Sequence, residues 1–320
     1  GKRIGEMEAY RGWDIYIICS HSRRSRMAAD TLYKAGFKNI FNVNAGLSYL
    51  HLSPYEHPGG LRKFHTKKTA YTLITPRELA QLTREKKGRL IDVTEDSVYK
   101  GLKKSPVPLA RFKTAEHIPA ETITSRLSGF SKTDPLILVD LTGEGSVMAA
   151  RQLAETGFQH ISVLLDGMDN ILGIGNHDFP EKKEMLEFIV PFDVWSPSDL
   201  AGLWKSGKNY RFLDIRSREE FENKAKNSFF NKGHIKDAIN IPFNELAGRL
   251  HEIDRPGPPV VIYSIMARPE VYEAARLLAE AGYKNVGVLY GGLYALRWQA
   301  ANLKGKDHLD DMIVNIPEEN

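Results

Sequence analysis

The chain has 320 residues, and its 44 lysines and arginines against 40 aspartates and glutamates give a net charge of +4. So small a surplus over this length does not predict nucleic-acid binding, and a content of 42% hydrophobic and 26% charged residues excludes a disordered chain. One cysteine rules out an intrachain disulfide and any multi-cysteine metal site, and no apolar run reaches the roughly 18 residues of a membrane-spanning helix.

The predicted secondary structure repeats along the chain. An apolar strand at 15–18 precedes an amphipathic helix, which should end at Gly36 because glycine adopts a positive φ at little cost. The same order of strand, helix and glycine recurs at intervals of about 120 residues, with strands at 136–139 and 260–263 and with Gly157 and Gly282. An interval of this length is typical of a repeated domain and not of a solenoid.

Two of the three repeats also contain earlier elements. Thr75-Pro76 and Ser196-Pro197 are typical of capped helix starts, with proline at the first helical position. Apolar strands follow and end near Asp92 and Asp214. Buried strands that alternate with helices predict parallel sheets, so the fold class is α/β, with repeated domains that each hold a central parallel sheet flanked by helices.

This pattern divides the chain into six parts. We expect half a domain, a linker, a full domain, a second linker, another full domain and a tail, at residues 1–50, 51–69, 70–175, 176–194, 195–303 and 304–320. The first part lacks the opening strands of the pattern, and a half-sheet leaves strand edges unpaired. We therefore expect either a natural protein that begins upstream of Gly1 or a second chain that completes the first domain.

The single cysteine, Cys19, lies where the first predicted strand meets its helix. Ligands of parallel sheets bind at the carboxyl ends of the strands, and a helix N-terminus directs N–H groups and a positive dipole toward them. With Arg23 and Arg24 beside it, the pKa of the thiol should fall from about 8.5 toward roughly 3.5–7.5, which favours a thiolate nucleophile in an anion-binding loop. A lone cysteine next to apolar residues is also commonly an inert core residue.

The sequence around Cys19 resembles the C-terminal half of a rhodanese domain. This resemblance is carried by Ile17-Ile18-Cys19-Ser20-His21-Ser22-Arg23-Arg24-Ser25, followed by Ala28-Ala29, Leu32, Gly36-Phe37, Asn39-Ile40 and Gly46. The second and third repeats are similar to the opening strand and the His-Ile-Pro-Gly-Ala signature of that family, at Leu90-Ile91-Asp92-Val93, His117-Ile118-Pro119-Ala120, Gly233-His234-Ile235 and Ala238-Ile239-Asn240-Ile241-Pro242. The resemblance covers nearly the whole chain, as one partial and two full domains.

The resemblance implies a thiosulfate sulfurtransferase. Cys19 would take the sulfane sulfur of thiosulfate or a similar anionic donor as a persulfide and pass it to cyanide or a thiol. The donor would be bound by the loop residues Ser20, His21, Ser22, Arg23 and Arg24. Related phosphatases have a loop one residue longer that ends in an arginine, at the position where this chain has Ser25, so the loop length favours sulfur transfer.

The other two repeats lack the cysteine. Asp140 and Ser264 stand at its position, so we expect both domains to be catalytically inactive. A serine hydrolase triad of Ser264, His234 and Asp214 is disfavoured, because the last two residues match structural positions of the family. Two alternatives to the sulfurtransferase stay open, namely a non-enzymatic sulfur-relay or interaction scaffold, and a small-anion phosphatase or arsenate reductase that uses the same thiolate.

No cofactor or metal is predicted, because the histidines lack metal-ligand spacing and no glycine-rich nucleotide loop is present. The partners that the resemblance implies are a small anionic sulfur donor and a thiol or cyanide acceptor, and the sequence predicts no nucleic-acid partner and no membrane span. The sequence does not indicate a compartment.

Overall fold

The computed structural model describes residues 4–19, 23–43, 70–103, 107–266, 268–302 and 311–317. The predicted linker at 51–69 and the loop residues Ser20, His21 and Ser22 lie outside this part of the chain. The predicted α/β fold is confirmed, since the described residues form parallel sheets flanked by helices.

The first sheet has two strands. A 3-10 helix, Ile4–Tyr10, precedes the strand β1 (Ile15–Ile17), the helix α1 (Arg23–Lys34) and the strand β2 (Ile40–Asn42). β1 and β2 pair in parallel, and Tyr16 and Phe41 stack on the open face of the sheet at 4.9 Å between ring centroids. Tyr16 is 68% exposed, so the described residues do not cover this face as the faces of a buried parallel sheet are covered.

The second sheet has five strands in the order β3-β8-β7-β4-β6. Its elements in chain order are β3 (Thr72–Ile74), α2 (Pro76–Arg84), β4 (Arg89–Asp92), α3 (Asp96–Tyr99), β5 (Ala110–Phe112), β6 (Glu116–His117), a 3-10 turn (Ala120–Thr122), α4 (Ile123–Arg126), β7 (Leu136–Val139), α5 (Glu144–Glu155), β8 (Ile161–Leu164), α6 (Gly167–Gly173), α7 (Lys182–Met185) and β9 (Leu186–Phe188). All four residues of β7 are buried, as its unbroken apolar run predicts.

The third sheet repeats this topology in the order β10-β15-β14-β11-β13. Its elements are β10 (Asp193–Trp195), α8 (Pro197–Lys205), β11 (Arg211–Asp214), α9 (Arg218–Phe221), a 3-10 turn (Ser228–Phe230), β12 (His234–Ile235), β13 (Ile239–Asn240), α10 (Phe243–Arg249), a 3-10 turn (Leu250–Glu252), β14 (Val260–Tyr263), α11 (Pro269–Glu280), β15 (Val286–Leu289), α12 (Gly292–Asn302) and β16 (Ile313–Val314). The strand pairing is in the same register as in the second sheet, because Asp92 pairs with Val139 and Asp214 pairs with Tyr263.

Local sequence explains where the helices start and end. The hydroxyls of Thr75 and Ser196 accept the amides of Glu78 and Asp199, and those carboxylates bond back to the cap amides, which forms the capping boxes of α2 and α8. The glycines predicted to end the repeated helices adopt positive φ, at 89° for Gly36, 96° for Gly157 and 84° for Gly282. No other residue type takes this conformation so easily.

Two segments expected as connectors contain regular structure. Within the predicted linker at 176–194, β9 pairs antiparallel with β5. Within the predicted tail at 304–320, β16 pairs antiparallel with β12, and the neighbouring Met312 is fully buried. These strands have only two or three residues and pair with strands far away in the sequence, so local periodicity gives no signal for them.

One hydrophobic cluster joins the second and third sheets. It contains side chains of both, among them Ile137 and Met168 from the second and Ile262 and Tyr272 from the third. Phe192, which lies just before β10, stacks on Tyr272 at 6.4 Å between ring centroids. The Tyr290 hydroxyl donates a hydrogen bond to the Asp169 carboxylate, and this contact ties the strand-to-helix loop after β15 to the start of α6.

Candidate functional site

The loop between β7 and α5 shows how this fold holds an anion. Asp140 directly follows β7, and its carboxylate accepts hydrogen bonds from the amide of Gly145 at 3.1 Å and from the amide of Ser146 at 3.3 Å. The Ser146 hydroxyl donates to the same carboxylate. Asp140 is 6% exposed, so its negative charge is held by the first turn of α5 and not by solvent.

Cys19 lies at the equivalent position of the first sheet. It follows β1 and is partly buried, and its Sγ lies 3.3 Å from the hydroxyl oxygen of Ser25 in the first turn of α1. Ser25 is six residues after Cys19, as Ser146 is six residues after Asp140, and both serines are buried. The sulfur atom of Cys19 therefore occupies the place that a carboxylate occupies in the second sheet.

The remaining predicted donor-binding residues are only partly described. Ser20, His21 and Ser22 lie outside the described residues, and Arg23 and Arg24 form the first two residues of α1. Sequence reasoning did not assign a role to Ser25 or Ser146. A signal for them was available, since each stands six positions after Cys19 or Asp140, the residue that follows the central strand.

Ser264 stands at the same position of the third sheet. The Ser264 carbonyl accepts the amide of Leu293 at 2.9 Å, just as the Asp140 carbonyl accepts the amide of Met168. Gly167 and Gly292 lie next to these carbonyl groups and adopt positive φ. A Cβ on Gly167 would lie 2.5 Å from the Asp140 carbonyl oxygen, and a Cβ on Gly292 would lie 2.6 Å from that of Ser264. The close approach of two backbones explains both glycines.

The residues of the disfavoured hydrolase triad are engaged elsewhere. Asp214 and Arg216 form a fully buried ion pair, with the Arg216 Nη2 2.6 Å from a carboxylate oxygen. His234 stacks on the Phe221 ring at 4.0 Å, and burial lowers the pKa of His234. Among the described contacts, Asp214 bonds to Arg216 and His234 lies against Phe221 and Asn315, so these residues do not form the Asp–His pair of a triad.

The second sheet has a variant of this arrangement. Asp92 corresponds to Asp214, but Thr94 stands where the third sheet has Arg216, and its amide donates to the Asp92 carboxylate at 2.9 Å. Asp92 is 2% exposed, and burial raises the pKa of its carboxyl above the ordinary value. Among the described residues, no arginine pairs with this buried carboxyl group.

The described part of the chain contains neither a metal-binding cluster nor a membrane-spanning helix. There, no three histidine, cysteine, aspartate or glutamate side chains come together as a metal site. No helix in the same residues is both long and apolar enough to cross a bilayer.

The described residues define an α/β protein with parallel sheets flanked by helices. The sequence of residues 196–300, which contains four of the five strands of the third sheet, matches the family described as Rhodanese-like domain. The chain therefore contains a rhodanese-like domain there. A comparison with curated proteins finds no match.

Solved structures with similarity to the chain include rhodanese proteins. A Bacillus anthracis protein described as CoADR-RHD is 27% identical with a TM-score of 0.27, over 33% of this chain and 16% of that one. A rhodanese-related protein of Thermoplasma volcanium is 22% identical with a TM-score of 0.26, over 32% of this chain and 87% of that one. A structure described as rhodanese with anions from E. coli is 26% identical with a TM-score of 0.22, over 27% and 91%.

Proposed function

We propose that the chain is a sulfurtransferase that carries sulfane sulfur as a persulfide on Cys19. The observation that carries this proposal is the position of the Cys19 sulfur, 3.3 Å from Ser25 at the start of α1. The same position in the second sheet holds the carboxylate of Asp140 with two amides and a hydroxyl. A site that stabilises a carboxylate also stabilises a thiolate and the anionic persulfide formed from it.

The chemistry follows from a thiolate at this place. The Cys19 thiolate attacks the outer sulfur of thiosulfate, a new S–S bond forms, and the old S–S bond breaks as sulfite leaves with the electron pair. Cyanide or a thiol then attacks the outer sulfur of the persulfide and regenerates the thiolate. Neither step needs an oxidant, and when Cys19 is ionised the Ser25 hydroxyl donates its hydrogen bond to the sulfur.

The second and third sheets take no part in sulfur transfer in this proposal. Asp140 places its own charge in the loop and offers no nucleophilic sulfur. Ser264 offers a hydroxyl, which forms no persulfide. The interpretation of the chain as tandem rhodanese domains, one active and two inactive, is part of the same proposal.

The test is intact-mass measurement after incubation with thiosulfate under non-reducing conditions. We expect the mass of one added sulfur atom, its removal by cyanide, and the appearance of thiocyanate. The Cys19→Ala variant should show neither, and a variant that still produced thiocyanate at the parent rate would refute the site. Turnover of a phosphate ester without sulfur uptake would instead support the phosphatase alternative.

A second variant separates the role of Ser25 from a general structural role. Ser25→Ala removes the hydroxyl that faces the sulfur, so persulfide formation should need a higher pH, with the rate at neutral pH lower by about tenfold. Ser146→Ala removes the matching hydroxyl of the second sheet and serves as the control. An unchanged pH profile for Ser25→Ala would contradict the proposed stabilisation of the thiolate.

A further inference from the structure

We infer that the open edge of β10 binds an extended peptide of a partner protein, which adds to the third sheet as a sixth strand. The peptide lies in the cleft between β9 and β10 and presents an acidic side chain to Lys183. This inference goes beyond the proposed function, because none of the residues that line the cleft belongs to the first sheet, and its test is independent of Cys19.

The first observation is the cleft itself. It has a volume of about 720 Å³, which is within the range of roughly 300–1,000 Å³ that ligand sites have. Its lining includes residues of β9, of β10 and of the segment that connects these two strands. Most of the lining side chains are apolar, among them Phe188 of β9 and Trp195 of β10. An extended peptide places every second side chain against such walls.

The second observation is the open edge of β10. This strand lies at the end of the third sheet, and among the described strands it pairs only with β15. The Trp195 carbonyl accepts the amide of Tyr290 at 2.7 Å, and alternate residues of a parallel strand bond to the same neighbour. The N–H and C=O groups of Val194 therefore point away from β15, and Val194 lines the cleft. An edge of this kind is a template for pairing with another chain.

The edge of β9 that does not face β5 is open as well. Among the described strands β9 pairs only with β5, to which the Met185 carbonyl and the Ile189 amide bond. This alternation directs the backbone groups of Glu187 toward β5 and those of Phe188 away from it. Phe188 lines the cleft, and Glu187 is not among the lining residues. The cleft thus has backbone donors and acceptors on both strands, and main-chain bonds supply the affinity when a peptide adds to a sheet edge.

The charges of the cleft indicate which peptide it accepts. Lys183 and Asp193 both line the cleft and are exposed, and among the described residues neither forms an ion pair. The Lys113 ammonium donates to the Lys183 carbonyl at 2.8 Å, which brings a second positive charge to the start of β9. Asp193 belongs to β10 and not to this end of β9. A glutamate or aspartate of the peptide is the side chain that complements the two lysines.

The experiment is a fluorescence-polarisation titration of labelled, capped hexapeptides with the full chain. Both peptides alternate valine and threonine, and one begins with glutamate and the other with lysine. We expect saturable binding of one equivalent of the glutamate peptide and binding of the lysine peptide that is about threefold weaker or more. Absence of saturable binding of the glutamate peptide, or equal affinities of the two peptides, would overturn the inference.

Hydrogen exchange followed by mass spectrometry locates the bound peptide. The fragment 186–195 contains the amides of Phe188 and Val194, which face the open edges, and its exchange should slow when the glutamate peptide is bound. Unchanged exchange at saturation would contradict the proposed position. Protection of this fragment that grows with protein concentration in the absence of peptide would show that a second copy of the chain occupies the edge, and it would also overturn the inference.

A proline variant tests the role of the backbone. Val194→Pro removes the N–H at the open edge and leaves the bonds to β15, so affinity for the glutamate peptide should fall about fivefold. Leu73→Pro is the matched control, because Leu73 has the same place in β3, the edge strand of the second sheet, and β3 does not line the cleft. Equal losses of affinity for the two proline variants would contradict pairing with β10.

A charge variant tests the side-chain contact without any change to the backbone. Lys183→Gln should weaken binding of the glutamate peptide by about two- to fivefold. Lys208→Gln removes the same charge from an exposed position outside the cleft and should leave the affinity unchanged. Equal effects of the two substitutions would show non-specific attraction and overturn the inference, whether or not the proline variants fold.

Discussion

Asp92 and Asp214 occupy equivalent positions, yet their replacement by asparagine should change stability in opposite directions. Asp214 forms a fully buried ion pair with Arg216, with three guanidinium-to-carboxylate contacts at 2.6–3.0 Å. Asp214→Asn leaves the arginine charge buried without a counterion, at a cost of about 3–5 kcal/mol. For a cooperative unit of this size, that corresponds to a fall in melting temperature of about 6–20 °C.

Asp92→Asn should have the opposite effect at neutral pH. Burial raises the pKa of Asp92 above its ordinary value of 3.8, so the folded protein disfavours the ionised form. The cost of ionising Asp92 is therefore absent at low pH and grows as the pH rises above 3.8 toward the raised pKa of the folded state. Asparagine removes that cost, and its carbonyl oxygen can still accept the Thr94 amide.

The assay is chemical denaturation at a series of pH values between 4 and 8, with the same buffer ions throughout. We expect Asp92→Asn to be more stable than the parent at pH 7 and to lose this advantage toward pH 4. Asp214→Asn should be less stable at every pH in the series. If Asp92→Asn were destabilised as strongly as Asp214→Asn, the assignment of a buried, unpaired carboxyl in the second sheet would be wrong.

Three further outcomes concern packing. Gly292→Ala should destabilise the protein in thermal melts, because its Cβ would lie 2.6 Å from a backbone oxygen at a φ of 64°. Gly202→Ala is the control, since Gly202 lies in the interior of α8 with open space around it, and this variant should stabilise the protein by about 1 kcal/mol. Lys182 is fully buried, and burial lowers its pKa below the ordinary value of 10.5. The free energy of unfolding should therefore rise as the pH approaches 10.5, and the Lys182→Met variant should lack this rise in denaturation curves. Tyr290→Phe removes the hydroxyl bonded to Asp169 and should cost about 1–3 kcal/mol by urea denaturation, whereas an unchanged midpoint would contradict that contact.

Much of the fold could be predicted from the sequence, because its strongest signals are local. The strands at 136–139 and 260–263 have the predicted bounds, and the two proline-containing caps and the three helix-ending glycines are where the pattern places them. Apolar runs, caps and glycines act within a few residues, so one sequence is sufficient to find them. The short strands β9 and β16 pair with strands that are distant in the sequence, so no local pattern predicts them.

The candidate site was predictable in its location but not in its contacts. The loop position of Cys19 follows from the end of an apolar strand, and the structure shows that its side chain is only partly buried. Its catalytic role stays a prediction. Ser25 and Ser146 could not be assigned by residue type alone, because a serine at a helix start is commonly a capping residue and only the geometry shows it facing a sulfur or a carboxylate.

The apolar cluster that runs through the second and third sheets makes these two repeats mutually dependent. Separating the two repeats by proteolysis, or expressing them separately, would expose the apolar residues of this cluster on each of them. Each isolated repeat should therefore aggregate. Heating should melt both in a single transition. None of the clusters found among the described residues includes a side chain of the first sheet.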